Sequence, residues 1–214
     1  MVLRLGMLEA LTRTLHRKIV TAVADLRYGG RFLTGKIESR KAHLGGYDIE
    51  STGYDLLPAM FDGRVRSDDV LVDVGRGKGR VLNWWLAHYP SHRIYGLELD
   101  QEIGELTRKR LRKYSNVQIL IGDACSLMPP DGTLFYLYNP FDADVMRRFI
   151  SRLISSPRGT NGLTRRVLYY NSTYVDRFRS HPSFVVQTVE LPRPMRCVFI
   201  ELVPVEQSLL PLQS

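Results

Sequence analysis

The first pattern in the chain is a regular spacing of apolar residues near its N-terminus. Apolar side chains recur there at three- and four-residue steps, which predicts one amphipathic helix over residues 1 to about 30, ending at Gly29-Gly30. These positions are Leu8, Leu11, Leu15, Ile19, Val23 and Leu26. Residues 31 to about 66 are rich in Gly, Thr and Tyr without clear periodicity. They predict loops followed by a short helix over about 55–61.

From Val70 onward, short apolar runs alternate with longer amphipathic segments. The runs predict strands over 70–75, 92–100, 116–124, 132–141, 164–171, 183–191 and 195–203. The segments between them predict helices over 78–90, 101–115, 143–156 and 172–182. Such alternation predicts an α/β fold, with a mostly parallel sheet covered by helices on both faces. The last two strands flank "PRP" and predict an antiparallel hairpin.

A glycine-rich turn, "VDVGRGKGR", follows the first of these strands. Its glycines, Gly75, Gly77 and Gly79, have the spacing GxGxG. A P-loop would need a glycine at Val72 and Ser or Thr in place of Gly79, and the dinucleotide fingerprint is GxGxxG, so neither pattern fits. What remains is a turn that lets backbone approach a ligand closely. Asp73, just before the turn, would repel phosphate and suits an ammonium-bearing ligand.

Acidic residues also follow the next two strands, where open α/β sheets bind their ligands. Glu98 comes about twenty residues after the glycine turn, where a carboxylate accepts hydrogen bonds from both ribose hydroxyls of an adenosine ligand. Its alternative role is to begin the next helix. Asp123 and the amide of Ala124 are placed to bind an adenine amino group and ring nitrogen, and the alternative there is a turn cap.

Together, "VDVGRGKGR", "YGLELD", "IGDA" and "LYNPF" resemble the class I S-adenosylmethionine-dependent methyltransferases, over residues 47–203. A bacterial group of these enzymes with an NPF motif is similar in particular. The resemblance implies a Rossmann-like, seven-stranded, mostly parallel sheet with a terminal antiparallel hairpin. It also implies an N-terminal helical extension at residues 1–46 and a methyltransferase domain at 47–214.

The same resemblance assigns roles around the cofactor, S-adenosyl-L-methionine. The glycine turn would hold its methionine part, with Arg76 pointing outward. "YDIESTGYDLL" matches the family's segment ahead of the glycine strand, so Thr52 and Tyr54 would close over the cofactor, and a structural loop is the alternative. The full set of implied cofactor-binding residues is Thr52, Tyr54, Asp73, Gly75, Gly77, Gly79, Glu98, Asp123 and Ala124.

The acceptor side of the implied site lies at "YLYNPF". Related enzymes that methylate amino nitrogens carry Asn/Asp-Pro-Pro-aromatic here, where two carbonyls accept hydrogen bonds from an NH₂ and an aromatic ring supports it. Asn139, Pro140 and Phe141 are therefore the candidate catalytic residues, with one proline where those enzymes have two. The acceptor is expected to be nitrogen in preference to oxygen, on protein, nucleic acid or a small molecule. Tyr169, Tyr170 and Asn171 are further candidates for the acceptor pocket.

Composition and charge bear on partners and location. The net charge of +8 favours nucleic acid or another acidic partner. The basic N-terminal helix is a candidate for dimerisation or for peripheral membrane contact. Two cysteines without CxxC spacing fit a reducing compartment, and neither a signal peptide nor a transmembrane run is evident, so a cytoplasmic protein without a metal site is expected.

Two other functions fit parts of the sequence. A nicotinamide-dependent oxidoreductase would also use Glu98 on a ribose, although the GxGxG spacing and the lack of a Tyr-x-x-x-Lys pair oppose it. A basic, non-catalytic nucleic-acid-binding module that retains the cofactor fold is the other alternative. The cluster "RKRLRK", Arg108 to Lys113, is either a solvated helix face or a phosphate contact.

Overall fold

Seven strands form one sheet in the computed structural model, which describes residues 2–29, 51–75, 77–192 and 194–203. The strands are β1 Val70–Val74, β2 Arg93–Glu98, β3 Val117–Ile121, β4 Leu134–Tyr138, β5 Arg166–Tyr170, β6 Phe184–Thr188 and β7 Cys197–Leu202. The helices are α1 Val2–Gly29, α2 Leu57–Phe61, α3 Arg80–His88, α4 Gln101–Leu111, α5 Ala143–Ser155 and α6 Val175–Arg179. The strand order is β3-β2-β1-β4-β5-β7-β6.

Pairing within the sheet confirms the predicted Rossmann-like architecture. Strands β1 to β5 pair in parallel, whereas β7 runs antiparallel to both β5 and β6, as the terminal hairpin requires. The strand order reverses between β1 and β4, which are hydrogen-bonded neighbours. The carboxyl ends of these two strands therefore form the topological switch point, where sheets of this class bind ligands.

The sheet is buried on both faces, which explains the nearly continuous apolar runs of β1, β4 and β5. On one face, α5 and α6 pack over a cluster that includes Phe135, Phe149 and Tyr169. On the other face, α2 and α3 pack over a second cluster, in which the ring centroids of Phe61 and Trp85 lie 5.3 Å apart. Both layers hold β1 and β4, and hence the switch point, in place.

The N-terminal helix α1 is anchored to the sheet domain by a buried ion pair. Asp25 is fully buried, and its carboxylate accepts hydrogen bonds from Arg80 Nε at 3.1 Å and Nη2 at 2.9 Å. Arg80 is the first residue of α3, directly after the glycine turn. Its Nη1 also donates to the carbonyl oxygen of Thr52 at 3.1 Å. One guanidinium thus links α1, the segment at Thr52 and the glycine turn.

Farther from this anchor, α1 presents apolar side chains to solvent. All described side chains between residues 12 and 20 are exposed. Among its described side chains, the large apolar ones that are exposed are Leu15, Ile19, Val20, Val23 and Leu26. Contact of this helix with a second subunit or a membrane surface stays a prediction. None of the described helices has the length and apolar content needed to cross a bilayer.

Three parts of the sequence interpretation fall outside this description. The domain boundary at residues 46 and 47 lies in a segment that is not described, and so does Arg76. The last described residue is Val203, so the proposed domain end at Ser214 is not described either.

Among the described side chains, no group of three or more His, Cys, Asp or Glu residues is placed to bind a metal ion.

Candidate functional site

The glycine turn has a backbone conformation that side chains rarely adopt. Gly75, Gly77 and Gly79 have φ angles of +70°, +51° and +80°, all in the left-handed region. Gly75 also lies directly against the acceptor turn, since a Cβ added to it would stand 2.6 Å from Pro140 Cβ. The two turns that the sequence assigned to cofactor and acceptor are therefore in contact at the switch point.

Glu98 joins the end of β2 to the glycine turn. Its side chain is 6% exposed, and its two oxygens accept hydrogen bonds from the amides of Gly77 at 2.8 Å and Asp100 at 3.0 Å. Asp100 in turn caps α4 by accepting from the amide of Ile103 at 3.1 Å. The expected ribose-binding carboxylate is thus held beside the glycine turn, and the helix that follows it begins at Asp100.

Asp73 lies on β1, the strand next to β2, and its side chain is on the same sheet face as that of Tyr136. It is 2% exposed, and the strand register pairs it with Gly96 on β2 and Tyr136 on β4. Thr52 Oγ1 and Tyr136 Oη are 2.7 Å apart in a hydrogen bond. Burial raises the pKa of Tyr136 well above its usual range, with the charge of Asp73 adding to the effect. Thr52 is therefore packed onto the central strand near Asp73.

Tyr54 belongs to the same buried group as the ion pair of α1. The guanidinium of Arg80 lies over its ring, 5.3 Å from the centroid. Burial raises the pKa of Tyr54 above its usual range, and the negative charge of Asp25 raises it further. Tyr54 stays a neutral phenol at physiological pH, packed beside the helix that follows the glycine turn.

Asp123 adopts the turn-cap geometry that was the alternative to adenine binding. Its carboxylate accepts from the amide of Cys125 at 3.1 Å, from Ser126 Oγ at 3.0 Å and from Arg148 Nη1 at 3.0 Å. Burial alone would raise the pKa of Asp123, but these hydrogen bonds outweigh it and lower the pKa below its usual value. The backbone of Ala124, 9% exposed, follows in the same turn after β3.

The acceptor turn has a strained asparagine held by a tyrosine. Asn139 has φ of +40°, a conformation uncommon outside glycine. Its Oδ1 accepts from Tyr169 Oη at 2.8 Å, and that hydroxyl accepts from the amide of Tyr174 at 3.3 Å. Asn171, after the neighbouring strand β5, also has a positive φ of +50°. Strained residues at adjacent strand ends are typical of functional sites.

The remaining acceptor candidates differ in their surroundings. Phe141 is 7% exposed, and its ring centroid lies 5.4 Å from that of Phe149 in the core beneath α5. It anchors the Asn139-Pro140 turn to the core. Tyr138 and Tyr170 pack against each other with centroids 4.7 Å apart, on the opposite sheet face. Tyr169, whose hydroxyl orients Asn139, was only one of several candidates in the sequence.

Comparison with known proteins gives one family-profile match, which lies within the sheet domain. Residues 71–153 match the sequence profile of a family described as "Methyltransferase domain". None of the curated proteins matches the chain. The matched range begins within β1 and ends within α5, so it contains the glycine turn, Glu98, Asp123 and the acceptor turn.

Solved structures of methyltransferases share the fold. Mitomycin 7-O-methyltransferase MmcR is 17% identical with a TM-score of 0.54, and the match covers 68% of this chain and 52% of that one. An RNA methyltransferase from Salinibacter ruber, solved with S-adenosyl-L-homocysteine, is 21% identical with a TM-score of 0.52, covering 77% and 98%. A SAM dependent methyltransferase from Aquifex aeolicus is 14% identical with a TM-score of 0.53, covering 68% and 92%. The match thus spans about half of MmcR and nearly all of the Salinibacter ruber enzyme.

Proposed function

We propose that the chain is a class I S-adenosylmethionine-dependent methyltransferase and that it methylates an amine nitrogen held at the Asn139-Pro140 turn. The family profile matched over residues 71–153 and the fold shared with solved methyltransferases support this proposal. The observation that carries this proposal is the contact between Gly75 and Pro140. Through this contact, the turn expected to hold the donor touches the turn expected to hold the acceptor. Methyl transfer depends mainly on such positioning.

The residues around the switch point fit the cofactor. Gly75, Gly77 and Gly79 all have positive φ and carry no side chain, and we propose that the methionine part lies against the backbone of this turn. Glu98 has about four lone-pair sites, which ribose hydroxyls would share with the two amides. When bound, S-adenosyl-L-methionine supplies a methyl group activated by its sulfonium. We propose that Asp73 faces its ammonium group and that Asp123 with Ala124 faces its adenine.

Thr52 and Tyr54 support the donor site from the α3 side. Thr52 is fixed by Tyr136 and by Arg80, and Tyr54 by the same arginine. We propose that this segment forms one wall of the cofactor site and excludes water from it. Its ties to α1 through Asp25 make the N-terminal helix part of the support for that wall.

Asn139 is suited to an amine acceptor. Its Oδ1 has two lone pairs, so it accepts one N–H of an amine while Tyr169 donates to it. The backbone carbonyl of Asn139, fixed by Pro140, is the second acceptor in this proposal. A neutral amine bound in this way keeps its lone pair for the methyl group and needs no base. A hydroxyl acceptor would also need a group to remove its proton.

Isothermal titration of the purified chain with S-adenosyl-L-methionine tests the donor site. We expect Glu98→Gln to weaken binding at least tenfold, because one charge-assisted acceptor of the ribose is lost, at about 1.5–3 kcal/mol. The control is Glu105→Gln on the exposed face of α4, which should bind like the wild type. Equal affinity in both variants would contradict the assigned site. Binding of a nicotinamide dinucleotide in place of S-adenosyl-L-methionine would favour the oxidoreductase alternative.

Replacing Tyr169 by Phe tests whether Asn139 is a positioned acceptor. The change removes the hydroxyl that orients Oδ1, worth about 1 kcal/mol, and we expect kcat to fall several-fold while the Kd of the cofactor is unchanged. Tritiated methyl transfer to fractionated cell extract supplies the rate, and mass spectrometry of the product identifies N- or O-methylation. Tyr95→Phe, at the other end of the sheet near Asp131, is the matched control. A kcat equal to that of the control would argue against the positioning role.

A further inference from the structure

A shallow depression lies along the outer face of α5, beside the turn that carries Asp123. Its volume is about 420 Å³, and its lining residues are Cys125, Arg147, Arg148, Ser151, Arg152 and Ser155. We call these six residues the arginine groove. Five of them lie on one face of α5, and all five are polar side chains able to donate hydrogen bonds. Such a surface suits an anion.

The guanidinium groups of the groove are accessible. Arg147 pairs with Asp144 at 3.1 Å and Arg148 with Asp123 at 3.0 Å; both arginines and Asp144 are exposed, and Asp123 is partly exposed. Exposed ion pairs of this kind contribute little, so they compete weakly with a stronger anion. Arg152 forms no ion pair with any residue that the structure describes. The groove therefore offers positive charge that its own acids do not fully neutralise.

Two further groups, one beside the groove and one in its lining, bring no negative charge to it. The guanidinium of Arg165 is buried and donates to the carbonyl oxygens of Pro129 and Pro130 rather than to a carboxylate. Burial lowers the pKa of Arg165, and the nearby charge of Arg152 lowers it further. Burial raises the pKa of the Cys125 thiol to about 11, so this residue brings no negative charge to the groove at neutral pH.

The position of α5 connects the groove to the acceptor turn. The helix begins at Ala143, four residues after Asn139, and runs away from the switch point. Arg147 and Arg152 are five residues apart, or about 7.5 Å along the helix axis. The groove is thus a short track along α5, and its arginines lie four to nine residues after Ala143. An extended polyanion fits such a track better than a compact anion does.

We propose that the arginine groove binds the phosphate backbone of a nucleic-acid single strand, one base amine of which reaches Asn139. This inference rests on the proposed function for the acceptor turn. Guanidinium groups match phosphate in geometry and carry a permanent charge, and the Ser151 hydroxyl adds a donor between them. The net charge of +8 favours the same class of partner at longer range.

The test measures binding of a fluorescein-labelled single-stranded RNA 20-mer to the full chain by anisotropy between 50 and 200 mM salt. The variant is the double change Arg147→Ala and Arg152→Ala. Each lost phosphate contact should reduce the slope of log K against log salt by about 0.7, so we expect a slope smaller by about 1.4 and binding about 25-fold weaker near 0.1 M salt. Both residues are on the helix surface, and equal thermal melting of variant and wild type checks folding.

The matched control is Arg112→Ala with Lys113→Ala, which removes the same charge from the exposed end of α4. This control should keep nearly the wild-type slope. Equal losses of RNA affinity in both double variants would overturn the groove and would indicate general electrostatic attraction instead. Displacement of the RNA by polyglutamate at equal charge would show that the groove binds an acidic peptide as well as nucleic acid, and would overturn the choice of nucleic acid. Titration with S-adenosyl-L-methionine separates the two proposals: wild-type cofactor binding in a chain that does not bind RNA rejects only the groove.

Discussion

Asp25→Ala is expected to lower the free energy of unfolding by about 3–5 kcal/mol, because it leaves the buried guanidinium of Arg80 without its carboxylate. Both partners are almost completely buried, with side-chain exposures of 0% for Asp25 and 5% for Arg80. After the substitution, Arg80 would keep the carbonyl oxygens of Ser51 and Thr52 and the ring of Tyr54, but would lose its carboxylate partner. Denaturation in urea with linear extrapolation measures the loss.

The control for this prediction is Asp176→Ala. Asp176 pairs with Arg179 on the surface of α6, with exposures of 86% and 51%, and its removal should change the free energy of unfolding by less than about 1 kcal/mol. Arg80→Met with Asp25→Leu would remove both charges and should recover much of the lost stability, since a buried apolar pair of similar volume replaces the ion pair. An Asp25→Ala chain as stable as the Asp176→Ala chain would show that α1 is not anchored by this ion pair.

The ion pair between Asp25 and Arg80 could not be predicted from the sequence. The apolar spacing of α1 predicted the helix and its end at Gly29 correctly, because helix periodicity is a local property. The pattern did not show that Asp25 would be buried, since a single acid among basic residues is typical of a solvated face. Its partner Arg80 is 55 residues away in the sequence. Only the packing of α1 on α3 brings the two together.

Strand and helix order was predictable for the same local reason, but strand ends were not. The predicted strands over 116–124 and 132–141 end in the structure at Ile121 and Tyr138. The residues beyond those ends, including Asp123 and Asn139, form turns whose side chains cap the backbone or bond to a neighbouring strand. The apolar residues Ala124 and Phe141 lie three positions beyond the last strand residues, so hydrophobicity alone overestimates the strand length.

The hydrogen bond between Tyr169 and Asn139 required the sheet register. In the parallel pairing of β4 with β5, Leu137 is the partner of Tyr169, which places the tyrosine hydroxyl near the turn that follows β4. The sequence offered Tyr169 and Tyr170 as equivalent candidates, because aromatic residues suit strands on either face. Side chains alternate along the strand, so only Tyr169 lies on the face from which it reaches Asn139, and Tyr170 packs on Tyr138 instead.

Gly75→Ala is expected to destabilise the chain by about 2–5 kcal/mol and to reduce methyl transfer by about 100-fold. An alanine at φ of +70° costs about 1–2 kcal/mol. Its methyl group would also stand 2.6 Å from Pro140 Cβ, and forcing extra atoms into a packed site costs about 1–3 kcal/mol more. Relief of this clash must move the glycine turn or the acceptor turn, and a shift of about 1 Å in a reacting group can cost 100-fold in rate.

Gly63→Ala is the matched control, because it imposes nearly the same backbone strain without the clash. Gly63 has φ of +73°, and a Cβ added to it meets nothing within 4 Å. Urea denaturation should show a loss of only about 1–2 kcal/mol for Gly63→Ala, with methyl transfer unchanged. The difference between the two variants isolates the contact of Gly75 with Pro140. Equal stability and equal activity in both variants would mean that the two turns do not meet in solution, and a donor bound at one turn could not then be aimed at an acceptor held by the other.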